Sequence, residues 1–270
     1  MHLFRQFFNF YINASIHVAI AVYTLVRITE LYFDLPYNEP LDYFIFYGTI
    51  SGYNFIKYAG VAKLHHRSLT THLKIIQVFS LICFVLMCYY AWQLSINTLL
   101  FLSPLVLLTL LYAIPFLSGF QKNLRNVSYL KIIVVAVVWA GFTVLLPLYD
   151  VGKSFSLEIC LAAIQRFLLV IILILPFEIR DLKFDAISLQ TIPQKIGIQK
   201  TKKLGYVLLI FCLILEFIIA PNSNIRTVFL ALFFLIFFLL METKENQSKY
   251  YSSFVVESLP IIWWLLLLIV

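Results

Sequence analysis

Long apolar runs alternate with short polar turns along the whole chain. A helix needs about 20 mostly apolar residues to cross the hydrocarbon of a bilayer, and its backbone hydrogen bonds must then close within the segment. The pattern therefore predicts an all-α integral membrane protein, a bundle of about nine transmembrane helices. The predicted spans lie near residues 8–28, 41–60, 73–93, 97–117, 131–149, 156–177, 204–220, 225–241 and 254–270.

Composition supports the same class of protein. Apolar residues make up 62% of the 270 positions and charged residues only 12%, whereas soluble domains carry roughly 25% charged residues. The polar stretches between the apolar runs are all too short to form a soluble domain. We therefore interpret residues 1–270 as a single membrane domain.

The net charge of +7 is distributed in a way that predicts topology. If the N-terminus is cytoplasmic, fifteen basic residues fall on the inner side, and only Arg27, Lys153 and Arg226 fall on the outer side. Such an excess of inner Lys and Arg is typical of membrane proteins. It predicts a multi-pass protein with a cytoplasmic N-terminus, which we interpret as a protein of a bacterial cytoplasmic membrane. It also disfavours nucleic acid as a partner.

Three carboxylates follow the sixth predicted span. Glu178, Asp181 and Asp185 fall within about 60° of one face if the helix continues through them. Carboxylates so placed repel one another near lipid, and Mg²⁺ with a substrate phosphate would relieve that repulsion. Arg180 and the neighbouring lysines suit diphosphate oxygens. A solvated turn whose mixed charges neutralise one another remains the alternative at this point.

The residues after Asp185 carry a resemblance. Thr191-Ile192-Pro193 and then Gly197 follow Asp181 and Asp185, between the sixth and seventh predicted spans. In this respect the chain resembles the UbiA-type superfamily of intramembrane prenyltransferases, which has nine transmembrane helices and a DxxxD motif at this place. The resemblance implies transfer of a polyprenyl group from a diphosphate to an aromatic or lipid-like acceptor. It also implies catalytic, Mg²⁺-binding roles for Asp181 and Asp185, with Glu178 as a third ligand.

The first aspartate motif of that family is incomplete here. Asn54 stands in the expected place, but Lys57, Tyr58, Val61 and Ala62 occupy the aspartate positions, and no acidic residue occurs between Tyr43 and Tyr149. Two readings stay open. Fixed positive charge could replace one metal ion, or the protein could be an altered or inactive family member that binds an isoprenoid or another lipid.

Further basic and polar residues complete the predicted site. Arg166, in the middle of the sixth span, is expected to line the cavity or to pair with Asp150 or Glu158. Lys122 and Arg125 follow a Tyr-x-x-Pro sequence, as in the family. The residues predicted to bind the diphosphate substrate are Asn54, Lys57, Arg67, Lys122, Arg125 and Arg180.

Overall fold

The computed structural model describes residues 2–64, 71–113, 130–184 and 189–270, and every regular element in these ranges is helical. Two segments, Gly141–Leu145 and Tyr251–Val256, are π-helical. The α-helices are α1 (His2–Asn13), α2 (Ile16–Phe33), α3 (Glu39–Leu64), α4 (Thr71–Ala91), α5 (Ile96–Ala113), α6 (Leu130–Ala140), α7 (Leu146–Asp150), α8 (Leu157–Asp181), α9 (Ile192–Ile196), α10 (Ile198–Ile219), α11 (Ser223–Glu242) and α12 (Leu259–Leu267).

Six helical stretches of the described chain are long and apolar enough to cross a membrane, which is compatible with a multi-pass membrane protein. They are Ile16–Phe33, Leu73–Ala91, Ile96–Ala113, Leu130–Asp150, Leu157–Asp181 and Ser223–Glu242. The sequence-based prediction was about nine spans.

The bundle is organised around α2. Two thirds of its residues are buried (67%), against 11% of the span in α4. Leu25 and Ile28 of α2 pack in one apolar cluster with Ile172 of α8, Phe229 of α11 and Trp263 of α12. The peripheral helices turn large apolar side chains outward, as lipid-facing helices do.

Polar caps define the helix ends between the apolar runs. Ser156 and Asn222 accept hydrogen bonds from the backbone N–H groups of Ile159 and Ile225, at the first turns of α8 and α11.

These turns and residues 34–38 lie at one end of the bundle, which we name the Asp150 end. The C-terminus of α8 lies at the other, the Asp181 end.

The first predicted span differs from the structure. One continuous span near residues 8–28 was expected, but α1 ends at Asn13 and α2 begins at Ile16. Ser15 has φ 61°, the left-handed conformation that interrupts a right-handed helix. Its hydroxyl is held by two side chains of α3, so a tertiary contact stabilises the break.

Gly205 permits close packing of α10. A Cβ atom at this position would lie 3.0 Å from Leu175 Cδ1 and closer still to Leu240 Cδ2. We expect Gly205→Val to lower the free energy of unfolding by about 1–3 kcal/mol, because the added atoms overpack three helices. Thermal unfolding in detergent checks this. Gly52→Val is the matched control, since a Cβ atom at Gly52 meets nothing within 4 Å; equal losses would contradict the packing explanation.

Candidate functional site

A cavity of about 450 Å³ opens at the Asp181 end of the bundle. It lies where the C-terminus of α1, the C-terminal part of α3, the end of α8 and residues 247–253 meet. We name it the Asp181 cavity. Its lining residues are Ile12, Asn13, Lys57, Arg180, Asp181, Lys183, Phe184, Gln247, Lys249 and Ser253.

Positive charge predominates in the Asp181 cavity. Among the described residues that line it, four are basic and one, Asp181, is acidic. The Arg180 guanidinium donates to both Asp181 carboxylate oxygens, at 2.7 and 3.0 Å. Lys183 donates to Asn246 Oδ1 at 3.1 Å, and Lys249 lies over the Tyr250 ring. The surplus of cations makes the cavity suited to an anion with several oxygens.

Lys57 is positioned by a chain of hydrogen bonds. Its ammonium donates to Ser15 Oγ at 2.9 Å, and Ser15 Oγ donates to Asn54 Oδ1 at 2.8 Å. Asn54 Nδ2 donates in turn to the Ala14 carbonyl and to Ser80 Oγ. Asn54 is therefore buried behind the cavity wall, where it connects α3 with α4 and with the break between α1 and α2.

The two described carboxylates in the last turn of α8, Glu178 and Asp181, are neutralised separately. Glu178 is only 2% exposed and forms an ion pair with Lys131 at 2.6 Å, whereas Asp181 is one-third exposed and binds Arg180. The helix ends at Asp181 and residues 182–184 form a turn, while Asp185 lies outside the described residues. In residues 2–64, 71–113, 130–184 and 189–270, no three His, Cys, Asp or Glu side chains gather as metal ligands do.

Several predicted site residues lie outside the described ranges. The structure brings Lys57, Arg180 and Asp181 together in the Asp181 cavity, and Asn54 lies behind its wall. Glu178 is buried and paired with Lys131, and it does not line the cavity. The predicted residues outside the described part of the chain are Arg67, Lys122, Arg125 and Asp185. Their roles stay predictions, as does Mg²⁺ binding.

The Thr-hydrophobic-Pro segment forms a short helix. Thr191 lies at the N-cap of α9, and its backbone N–H donates to Gln194 Oε1 at 2.9 Å. Gly197 separates α9 from α10 with φ 79°, a conformation that favours glycine. The Thr201 hydroxyl then donates to the Gly197 carbonyl at 2.9 Å, which joins this turn to α10.

Arg166 lies inside the bundle and not in the Asp181 cavity. Its Nη1 donates to the Leu25 carbonyl at 2.9 Å and to Thr143 Oγ1 at 3.0 Å. Its guanidinium lies over the Trp263 ring, with Cζ 5.5 Å from the centroid. The expected pairing with Asp150 or Glu158 was wrong, because Asp150 instead accepts hydrogen bonds from Asn38 and Thr98 at the Asp150 end.

Glu216 supplies the acidic counterpart of Arg166. This fully buried carboxylate accepts hydrogen bonds from Tyr32 at 2.7 Å and from Gln165 Nε2 at 2.8 Å. It also interacts electrostatically with Arg166. We name Arg166, Glu216 and their partners the central network; it joins α2, the first π segment, α8, α10 and α12.

Sequence reasoning missed two acids that the structure places near cations. Glu216 belongs to the central network, and Glu257 interacts electrostatically with Lys57 and Arg180 beside the Asp181 cavity. Each is a single acidic residue inside an otherwise apolar predicted span. A lone acidic residue in an apolar span indicates a nearby cation or hydrogen-bond donor, because an ionisable group within lipid requires a partner.

No family model matches this chain, and neither do any curated protein sequences or solved structures.

The central network generates a stability prediction. We expect Arg166→Met to lower the free energy of unfolding by about 1–3 kcal/mol, because the buried Leu25 carbonyl and Thr143 hydroxyl lose a donor and Glu216 loses one of the cations that act on it. The double variant Arg166→Met/Glu216→Gln should recover part of the loss, since neither charge remains. Unfolding in detergent measures both. Lys200→Met, which removes an exposed cation, is the control; an equally small effect of Arg166→Met would count against the network.

Proposed function

We propose that this protein is a membrane-embedded prenyltransferase, which moves a polyprenyl group from a diphosphate to an aromatic or lipid-like acceptor. The observation that carries the proposal is the Asp181 cavity, where Lys57, Arg180, Lys183 and Lys249 surround a single carboxylate. A diphosphate carries several negative oxygens and matches such a set of donors. The DxxxD and Thr-Ile-Pro sequences at the same end of α8 support the family resemblance.

The chain's own residues provide what the reaction needs most, stabilisation of the departing diphosphate. Breaking the bond between the prenyl carbon and oxygen leaves negative charge on the diphosphate and positive charge on the allylic group. Fixed cations placed in advance around the leaving group lower that barrier. Arg180 contributes a permanent cation, whose Nε and Nη2 donate to Asp181 in the described arrangement. Lys57 is held in place by its hydrogen bond to Ser15, which in turn donates to Asn54.

The acceptor and the prenyl tail require apolar surroundings. Ile12 and Phe184 line the Asp181 cavity beside the cations, and the helices around it present apolar surfaces. The diphosphate is then held at the polar end of the bundle, and the tail runs towards the lipid. No protein nucleophile is required, because the electrophile is generated by charge stabilisation alone.

Mg²⁺ is part of the proposal through Asp181 and the predicted ligand Asp185. When bound, the metal would add positive charge at the diphosphate oxygens. In the described arrangement Arg180 occupies both oxygens of Asp181, and Glu178 is paired with Lys131. Metal binding therefore requires Asp181 to exchange Arg180 for the ion, and Lys57 stands where the family's first motif has an aspartate.

We also propose nine membrane crossings with the N-terminus in the cytoplasm of a bacterial cell. In addition to the six apolar stretches, α3 has 26 residues and α10 has 22. At about 1.5 Å per residue, each is long enough to cross the hydrocarbon. Residues 251–267 form a final apolar helical stretch. Basic residues concentrate at the Asp181 end, which the positive-inside tendency places in the cytoplasm.

The second candidate function is binding of an isoprenoid or another lipid without catalysis. Its specific support is that no acid occupies the first motif, where Asn54 is buried and Lys57 faces the cavity. Such a protein would keep the cationic cavity and the apolar surroundings, but it would not depend on a metal ion.

Binding of a non-hydrolysable prenyl thiodiphosphate to protein in nanodiscs tests the first step. We expect Lys57→Gln to weaken binding roughly 10-fold, because it removes one charged contact of about 1.5 kcal/mol. Lys200→Gln is the matched control, since Lys200 is an exposed cation at the same end but outside the cavity. Equal effects of the two substitutions would contradict the assigned site.

Product formation separates the two candidate functions. Labelled prenyl diphosphates are incubated with the same nanodiscs, Mg²⁺ and candidate aromatic acceptors, and alkylated product is measured. We expect product with the unaltered protein and none with Asp181→Asn, which lowers the negative charge at the proposed metal site. Binding that needs no metal, survives Asp181→Ala with Asp185→Ala and gives no product would favour the non-catalytic lipid-binding protein.

A further inference from the structure

The N-terminal helix α1 is a separate element at the Asp181 end. It ends at Asn13, and the left-handed Ser15 lies between it and α2. Arg5, Gln6, Asn9 and Asn13 recur along it, which is unsuitable for a helix that crosses hydrocarbon. Residues 2–13 therefore form an amphipathic helix attached to the first apolar span, and not its beginning.

The two faces of α1 differ sharply. Phe4 and Phe7 are 75% and 71% exposed, and at 3.6 residues per turn they lie about 60° apart on one side of the helix. Gln6 lies about 160° from Phe4, on the polar side. Two phenylalanines exposed to this extent on one face form an apolar patch, and such a patch indicates a binding surface for lipid or protein.

The C-terminal half of α1, from Phe8 to Asn13, is attached to the bundle. Asn9 Oδ1 accepts a hydrogen bond from the Tyr250 hydroxyl, and the Asn13 carbonyl accepts one from Tyr58. The Phe8 ring packs edge-on against Phe254, with centroids 5.0 Å apart. These contacts hold the helix at the end of the bundle while Phe4 and Phe7 point away from it.

We propose that α1 lies in the membrane surface, with Phe4 and Phe7 inserted among lipid chains and Arg5 at anionic headgroups. Helices with an apolar aromatic face and a polar basic face bind membrane surfaces in this way. Charge complementarity favours anionic lipid over other occupants: exposed Lys195, Lys200 and Lys203 lie at the same end of the bundle as Arg5. An anionic leaflet attracts such residues by about 1 kcal/mol each.

This lipid contact also bears on the Asp181 cavity. The last two residues of α1, Ile12 and Asn13, line the cavity. Ser15, just after them, accepts the hydrogen bond from Lys57. Anchoring α1 in the surface thus holds one wall of the cavity and the partner of one of its cations. The lipid contact of α1 does not depend on whether the protein transfers prenyl groups.

Site-specific fluorescence in nanodiscs tests the placement. The four free cysteines are replaced by serine or alanine, and single cysteines at Phe4, Phe7 or Gln6 receive an environment-sensitive fluorophore. We expect the probes at 4 and 7 to emit at shorter wavelength, to be quenched by lipids brominated on the acyl chain, and to be shielded from iodide. The probe at Gln6→Cys, the control on the same helix, should show the reverse.

Three results would overturn the proposal. Iodide quenching at all three positions would place α1 in water, and equal quenching by brominated lipid would mean that α1 has no preferred face. Probes at 4 and 7 that are shielded from iodide but unaffected by brominated lipid would indicate a second copy of the chain as the cover. All variants are first shown to elute as the unaltered protein does, so that misfolding is recognised separately.

A comparison of two lipid compositions tests whether α1 prefers anionic headgroups. We expect the lipid quenching at position 4 to be stronger in nanodiscs that contain phosphatidylglycerol than in nanodiscs of phosphatidylcholine alone. Arg5→Gln should reduce that difference, because it removes the cation nearest the inserted residues. Identical quenching in both lipids, with and without Arg5, would overturn the part of the proposal that concerns headgroup charge.

Discussion

Arg166 sets the strongest constraint on how these helices pack. A guanidinium stays charged in an apolar bundle, so its burial is costly unless hydrogen-bond acceptors and an acid surround it. The Leu25 carbonyl, Thr143 Oγ1 and the face of Trp263 provide those surroundings, and Glu216 provides the opposite charge. Because Arg166 and these groups come from five elements, displacement of any one of them leaves a buried charge or donor without its partner.

The π segment at Gly141–Leu145 is explained by the same constraint. The Thr143 carbonyl accepts a hydrogen bond from the Thr29 hydroxyl, and the Thr143 hydroxyl accepts one from Arg166. A local π-helical turn changes which backbone groups and side chains face the bundle interior, and such turns are often found at functional or strained positions. Here the turn orients one threonine towards both α2 and α8.

Charges at the Asp181 end are organised differently from those at the centre. Arg166 and Glu216 are enclosed by protein, whereas Lys57, Arg180, Lys183 and Lys249 line an open cavity with Asp181 as the one acid among them. The central charges therefore stabilise the packing, and the cavity keeps a positive surplus with which a ligand can interact. Helix α2 links the central network with the Asp181 cavity. It carries Leu25 and Tyr32 of the network, and it begins next to Ser15, which binds Lys57.

Apolar periodicity and turn residues determined the all-helical class and most helix ends, since a helix in lipid must satisfy its own backbone and needs a minimum apolar length. The same reasoning located Asp181, Arg180 and Lys57, because charged residues beside apolar runs are conspicuous. Only the tertiary structure decided that Ser15 interrupts the first span, that Glu178 pairs with Lys131, and that Arg166 interacts with Glu216. Those outcomes depend on contacts between residues far apart in the chain, which local spacing does not encode.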